Sequence, residues 1–417
     1  MSFIKKIRRR IYNVSGNIGN RYGFDLPYFV ENGFWVMLSQ TISMGASFAV
    51  SLIFARYLTK EVYGEYQLII SMIGIFGILS YNGLNVSVLR SVAKGFDYSY
   101  VKAVKFSFKK SLLTIPIFTG IAVWYYFRDN NELAIIFVFA AILFSFIYAH
   151  NKWLAYWKGK EKFEKVAKQQ IIQNVILNSA LIIGAIFYSE NVFVISLTYL
   201  IVNAGFHTFW HYKTKQSIKI QDIDEECIPY GKYLTGLGVL SSLILYFDKI
   251  VIGFFDIKLL AVYTIALKLF DVIKQLLKNI FSVSMPKFAK KNIRISNRVL
   301  FLLMISGLFS GVVLFFFAEP LIRFLYTNKY DESALLFKKF IFVLPLLFVN
   351  PLLASRINAQ KIKKRIFNVK IYAPLISMVF SVGVFIISSS PEYFILSKIY
   401  SYYLLNFLFL APWFFKD

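Results

Sequence analysis

Residues 133–151, LAIIFVFAAILFSFIYAHN, contain no Asp, Glu, Lys or Arg. As a helix rising 1.5 Å per residue the stretch measures about 28 Å, which matches a hydrocarbon core of about 30 Å. Outward from it in both directions the pattern repeats. Twelve apolar stretches fall near 33–55, 67–89, 111–127, 133–151, 169–188, 192–210, 233–253, 261–284, 299–318, 335–355, 371–388 and 394–413. The whole 417-residue chain is 58% hydrophobic, 19% aromatic and 17% charged, with a mean hydropathy of +0.59. A soluble domain carries about 25% charged residues, so the sequence describes an all-α integral membrane protein. A single cysteine, Cys227, excludes a disulfide framework and a cysteine metal cluster.

The net charge of +25 follows topology rather than a nucleic-acid partner. With twelve alternating helices and a cytoplasmic N-terminus, the inner segments hold 34 of the 47 Lys and Arg and the outer loops only six, while Asp and Glu divide evenly. The positive-inside rule then puts both ends in the cytoplasm of a cell inner membrane. Basic clusters around Lys102–Lys110, Lys158–Lys168 and Lys361–Lys370 are read as anchors at anionic headgroups. Residues 1–32 carry Lys5, Lys6, Arg8, Arg9 and Arg10 with Ile4, Ile7 and Ile11 at helical spacing, which predicts an interfacial arm and no cleavable signal.

Two lobes are expected, helices 1–6 within 33–210 and helices 7–12 within 233–417, joined by a cytoplasmic linker at 211–232. Phe54, Val62 and Tyr63 match Phe254, Val262 and Tyr263 at a constant offset, with Val92-Ala93-Lys94 and Phe288-Ala289-Lys290 at comparable places. Six helices per half would bring both halves into the membrane from the same side, as in parallel-repeat transporters; chance similarity between apolar segments is the alternative.

Ionised side chains inside spans cost about 2.5–3.5 kcal/mol on insertion scales and mark wet interiors. The eighth span concentrates them. At 100° per residue, Lys268, Asp271, Lys274, Gln275 and Lys278 fall within an arc of about 120°, and Leu269, Phe270, Val272, Ile273, Leu276 and Leu277 fill the remainder. Three lysines against one aspartate leave surplus positive charge, so the face is built for water or anions. Asp248 and Lys249 in the seventh span and Lys398 in the twelfth add to it. Asp248 and Asp271 are candidates to take up H+ or Na+. Arg90, at a helix end, is a further candidate for the cavity, with anchoring as its competing role. Weaker polar stripes run along Gln40, Ser43, Ser47 and Ser51, and along Gln170, Gln173, Asn174 and Asn178. Pro116, Pro345, Pro351 and Pro374 are read as kinks.

Catalytic motifs are missing. His207 and His211 are spaced i,i+4 without the glutamate of a zinc-protease helix, so no metal site is expected, and Asp222-Ile-Asp224 lies in a loop without a nucleotide-binding fold. No Walker A or GxGxxG sequence offers a seat for a nucleotide cofactor.

Phe54-Ala-Arg-Tyr-Leu-Thr-Lys-Glu-Val-Tyr-Gly-Glu-Tyr-Gln resembles the signature between the first two helices of Wzx-type polysaccharide flippases, and Asn82-Gly-Leu-Asn through Leu89-Arg90 the end of their second helix. Tyr246-Phe-Asp-Lys-Ile-Val-Ile-Gly, Ala261-Val-Tyr-Thr-Ile-Ala-Leu-Lys-Leu and Tyr330-Asp-Glu-Ser-Ala-Leu-Leu are similar to later segments of the same family, although Thr327-Asn-Lys replaces the usual glycine before Tyr330. The resemblance implies the MOP flippase superfamily, a MATE-like V of two six-helix bundles around a central cavity. It also implies an undecaprenyl-diphosphate-linked oligosaccharide as substrate, flipped to the outer leaflet for O-antigen or capsule synthesis, with a polysaccharide polymerase and a chain-length regulator as partners beside membrane lipids. The alternatives are a MATE-like multidrug exporter, against which the cationic face argues, and a membrane polysaccharide polymerase, for which the outer segment near 319–334 leaves scant room.

Overall fold

The computed structural model describes residues 26–219, 222–282, 295–360 and 363–410. The expected interfacial arm lies almost wholly outside them, as do Phe288-Ala289-Lys290 and Lys361. All described secondary structure is helical. Among the described residues ten helices are long and apolar enough to cross a membrane, eleven if the pair 328–341 and 344–357, bent by 57°, counts as one span. The remaining expected span, the eighth, is the helix Ile257–Ser282, which is interrupted by Lys258, Lys268, Asp271, Lys274 and Lys278.

In chain order the helices are α1 (Leu26–Tyr57), α2 (Lys60–Ile75, continued by a tight turn Phe76–Ser80), α3 (Leu84–Ala93), α4 (Ser99–Ser111), α5 (Thr114–Tyr126), α6 (Asn131–Tyr148), α7 (Trp153–Gly159), α8 (Phe163–Phe187) and α9 (Val192–Gln216). They continue with α10 (Cys227–Phe255), α11 (Ile257–Ser282), α12 (Asn297–Tyr326), α13 (Asp331–Ile341), α14 (Leu344–Gln360), α15 (Lys363–Phe367), α16 (Ala373–Ser388) and α17 (Pro391–Leu410). The stretch before the third expected span is itself helix: α4 carries Lys102, Lys105, Lys109 and Lys110 beside buried Tyr100, Ala103 and Val104. Three of the four prolines expected to kink helices stand in the first turns of helices, Pro116 in α5, Pro345 in α14 and Pro374 in α16, where a missing N–H costs nothing. Pro351 lies inside α14.

Packing divides the chain into two compact units. The first comprises residues 1–50, 76–188 and 193–236; the second comprises 51–75, 189–192 and 237–417. Both α1 and the Lys60–Ser80 helix therefore change unit along their length, so segment 51–75, which belongs by sequence to the first six helices, packs with residues of the last six. The first unit is centred on Leu84, Val88, Val92, Tyr100, Trp153 and Tyr156. Its polar stripes meet: Asn174 donates to Ser43, and Gln173 to Asn203 at 3.0 Å. All three histidines of the chain gather here, with His150 and His211 stacked at 4.3 Å and Trp153 donating to His207 at 3.2 Å. No group of three or more His, Cys, Asp or Glu able to hold a metal occurs among the described residues. In the second unit, α12 lies against α14 through Gly307 and Gly311, the former so close that a Cβ would meet the Pro345 Cα at 2.8 Å.

Candidate functional site

The candidate face is built on α11. Its apolar side is held by Leu269, Phe270 and Leu277, all buried, with the Phe270 ring edge-on to Phe340 of α13 and to Tyr403 of α17. That packing turns the opposite arc away from the unit's core: Asp271, Lys274 and Lys278 are exposed, and Lys268 and Gln275 half-buried. Lys274 donates to Asp271 at 3.3 Å, with Tyr402 and Tyr403 of α17 close by.

Deeper in the same unit, α10 and α17 contribute a buried ion pair. Lys398 Nζ lies 2.7 Å from Asp248 Oδ2, both side chains being under 10% exposed, and donates to the Ile244 carbonyl at 3.2 Å. Tyr263 of α11 donates its hydroxyl to the same carboxylate oxygen. The other oxygen, Asp248 Oδ1, has no hydrogen-bond partner among the described residues. Lys249 stands in the field of Asp248, Asp271 and Lys398, and Lys268 in that of Lys249 and Asp271. The structure therefore gathers Asp248, Lys249, Lys268, Asp271, Lys274 and Lys398 from three helices, with Gln275 and Lys278 on the same α11 face. Five lysines stand against two aspartates.

Arg90 sits in the first unit, exposed, with its guanidinium 5.1 Å over the Tyr230 ring. Tyr263, Tyr402 and Tyr403 were not singled out by sequence as residues of the site. A signal existed for Tyr402, which stands one helical turn from Lys398 on the same face of α17.

A face that presents several ammonium groups can neutralise the oxygens of an anionic ligand such as a phosphate. Nothing in it is arranged as nucleophile and base, and the lysines lack the bidentate geometry that would demand one ligand orientation.

The fold defines a multi-pass, all-helical membrane protein. Residues 29–292 match the family of polysaccharide biosynthesis proteins, and the chain belongs to that family. Among solved structures it is similar to the lipid II flippase MurJ in an inward closed conformation, with a TM-score of 0.66 and 14% identity over 91% of this chain and 86% of that one. An inward-facing multidrug resistance MATE transporter of the MOP superfamily gives 0.63 and 11% over 90% and 96%. A MOP superfamily transporter from Pyrococcus furiosus, noted for reversed polarity of its binding pocket, gives 0.58 and 12% over 92% and 94%. No curated protein sequence matches the chain.

Proposed function

We propose that this protein is a flippase that carries an undecaprenyl-diphosphate-linked oligosaccharide from the cytoplasmic to the outer leaflet of the inner membrane, for assembly of a surface polysaccharide such as O-antigen or capsule. Membership of the polysaccharide biosynthesis family supports the class of cargo. The observation that carries the reading is the α11 face, where positively charged side chains are turned away from the apolar packing of the helix.

A diphosphate sugar headgroup crossing bare hydrocarbon would leave every polar group unsatisfied, at several kcal/mol each. The lysines replace the water lost by the phosphates, while the polyprenyl tail stays in lipid throughout. Alternating access of the face to the two sides of the membrane completes the transfer, with lobes within 33–210 and 233–417 and both termini in the cytoplasm. Lys249, Lys268, Lys274 and Lys278 meet the phosphates, and Gln275 meets the first sugars. Arg90 is assigned to capture at the cytoplasmic mouth. Asp248, already neutralised by Lys398, couples to H+ or Na+ only if that pair separates; Asp271, exposed, is the better placed of the two. The polymerase and chain-length regulator act on the delivered product.

The test is delivery of a fluorescent lipid-diphosphate oligosaccharide in proteoliposomes. Lys268→Ala, Lys274→Ala and Lys278→Ala combined should leave insertion intact and reduce delivery at least tenfold, since a single hydrogen bond to a charged group contributes about 1.5–3 kcal/mol. Unaltered delivery by the triple variant sinks the proposal.

A further inference from the structure

Three helices of the first unit bring lysines and indoles together at one end: α7 supplies Trp157, α8 supplies Lys165, and α9 supplies Trp210 and Lys213. Lys162 immediately precedes α8. The indoles form a fixed platform. Trp157 donates its Nε1–H to the Thr214 hydroxyl at 2.9 Å, and Trp210 is stacked at 5.4 Å on the buried Trp153. Lys165 Nζ lies 3.2 Å from the centre of the Trp157 ring and 5.7 Å from that of Trp210. Lys213 Nζ lies 5.8 Å from the Trp210 ring and 4.6 Å from that of Phe209.

The rings attract each ammonium group, yet the groups repel one another: Lys165, half-buried, stands in the field of both Lys213 and Lys162. A ring face covers one side of an ammonium and leaves at least two of its three N–H donors without a partner. Among the described residues none of these three ammonium groups forms an ion pair or donates a hydrogen bond to the protein. Neighbouring acids are engaged elsewhere, Glu164 with Lys168 at 2.7 Å and Asp97 with Lys160 at 2.6 Å, and Glu161 is exposed. The first turn of α8 has no side-chain cap, so its N–H groups and the positive end of a 25-residue helix add to the same field. A phosphate placed here would accept from two or three ammonium groups at once.

A path for an apolar chain leads away from the lysines. At 100° per residue Ile172 and Ile176 lie within about 20° of Lys165 on α8, and both are exposed. The polar stripe of Gln170, Gln173 and Asn174 lies at least about 80° away. Lys165 to Ile176 covers about 16 Å of helix, the depth of one leaflet of a core about 30 Å thick. Tryptophan and lysine are the residues that gather at headgroup level, and on the topology expected from the charge distribution this end faces the cytoplasm, where the leaflet is anionic.

We propose that Lys162, Lys165 and Lys213, on the Trp157–Trp210 platform, bind the phosphate of an anionic glycerophospholipid whose acyl chain runs along Ile172 and Ile176. The site is discrete, unlike the general attraction of basic loops to a charged surface. It does not rest on the flippase reading, whose lysines belong to the other unit.

The test uses full-length protein purified in detergent, stripped of lipid and titrated with phosphatidylglycerol, the bound lipids being counted by native mass spectrometry. A lysine near an anionic surface contributes about fivefold, so Lys165→Gln with Lys213→Gln should weaken the first binding step about 25-fold. Lys102→Gln with Lys109→Gln removes the same charge from exposed positions of α4 and should change that step less than about twofold. Lys165→Arg with Lys213→Arg keeps both the charge and the ring contacts and should retain the parental affinity. Phosphatidylethanolamine, which is zwitterionic, and inorganic phosphate, which has no chain, should each fail to displace the bound lipid. Phosphatidylglycerol carrying a diazirine in its acyl chain should label α8 between Gln169 and Ile176. Equal weakening in the two glutamine pairs overturns the site, as does an arginine pair that binds as poorly as Lys165→Gln with Lys213→Gln. Displacement by inorganic phosphate, labelling confined to other helices, or preferential binding of a polyprenyl diphosphate overturns it as well.

Discussion

Asp248 and Lys398 illustrate what a charge inside the membrane requires. Each is buried, each neutralises the other, and Tyr263 and the Ile244 carbonyl fill further hydrogen-bonding positions. Breaking a buried pair by removing one member strands the other, at about 3–5 kcal/mol, whereas replacing both with uncharged groups of similar volume is near neutral. Asp248→Asn and Lys398→Met should each lower the thermal unfolding temperature in detergent sharply, and the double variant should recover most of the loss; a Lys398→Met single variant as stable as the parent would show that the pair contributes nothing. Thr327 makes a different point. It stands at φ 74, ψ 166, a backbone region that is essentially glycine's own, and a β-branched residue held there costs on the order of 1–3 kcal/mol. The sequence comparison had marked this place by the missing glycine. Cations on either side, Arg56 on the preceding carbonyls and Lys329 on Leu58, hold the turn in place. Thr327→Gly should therefore raise the unfolding temperature by the equivalent of about 1–3 kcal/mol, and an unchanged or lower value would mean that the strain is relieved elsewhere.

Glycine separates two roles at the scale of helices. In the first unit, a Cβ on Gly83 would meet the Thr235 amide nitrogen at 2.4 Å and the Gly231 carbonyl at 2.5 Å, both backbone atoms of α10 that cannot step aside. Gly120 in α5 has nothing within 4 Å. Gly120→Ala should thus stabilise by about 0.5–1 kcal/mol through helix propensity, and Gly83→Ala should destabilise by about 1–3 kcal/mol through overpacking; circular dichroism melts of the two variants in one detergent check the opposite signs. Such close crossings were not legible in sequence, because any glycine in an apolar run looks the same until its neighbour is known. The helices themselves were legible wherever apolarity ran unbroken, as in residues 133–151. They were underestimated where one face is polar: α4 looked like a basic anchor because lysines are interspersed among its apolar residues, although Tyr100, Ala103, Val104 and Ser107 make a buried stripe at helical spacing. The α11 face was legible because a 100° periodicity is computable from sequence alone. Its partners Tyr263 and Tyr403, contributed by different positions on α11 and α17, depend on tertiary packing that no periodicity encodes. The same limit hid the excursion of segment 51–75 into the second unit, since chain order gives no hint that Lys60 and Glu332 meet.

At the scale of the whole molecule, charge placement and cargo charge are linked through the membrane potential. The excess of Lys and Arg on one set of loops, with an even number of spans, predicts that Ser217 and the C-terminus are reached by impermeant reagents from the cytoplasmic side and Asp129 from the outer side; labelling of Asp129→Cys from inside would invert the whole scheme. Given that orientation, a cargo with net negative charge moves outward down an inside-negative potential. Each charge transferred is worth about 2.3 kcal/mol per 100 mV, which corresponds to an equilibrium bias of roughly 50-fold at about 1.4 kcal/mol per decade. The lysines of α11 stay with the protein, so their charge cancels over a full cycle and the bias belongs to the cargo. In proteoliposomes with a potassium diffusion potential, the steady-state ratio of labelled lipid between leaflets should rise with voltage by up to that factor for each uncompensated charge, and collapse when valinomycin is added with equal potassium on both sides. A ratio that ignores voltage but follows an imposed proton or sodium gradient would mean that an ion travelling with or against the lipid cancels its charge. Asp271→Asn should then abolish the gradient dependence if that exposed carboxylate binds the ion, and leave it unchanged if the Asp248–Lys398 pair opens to do so.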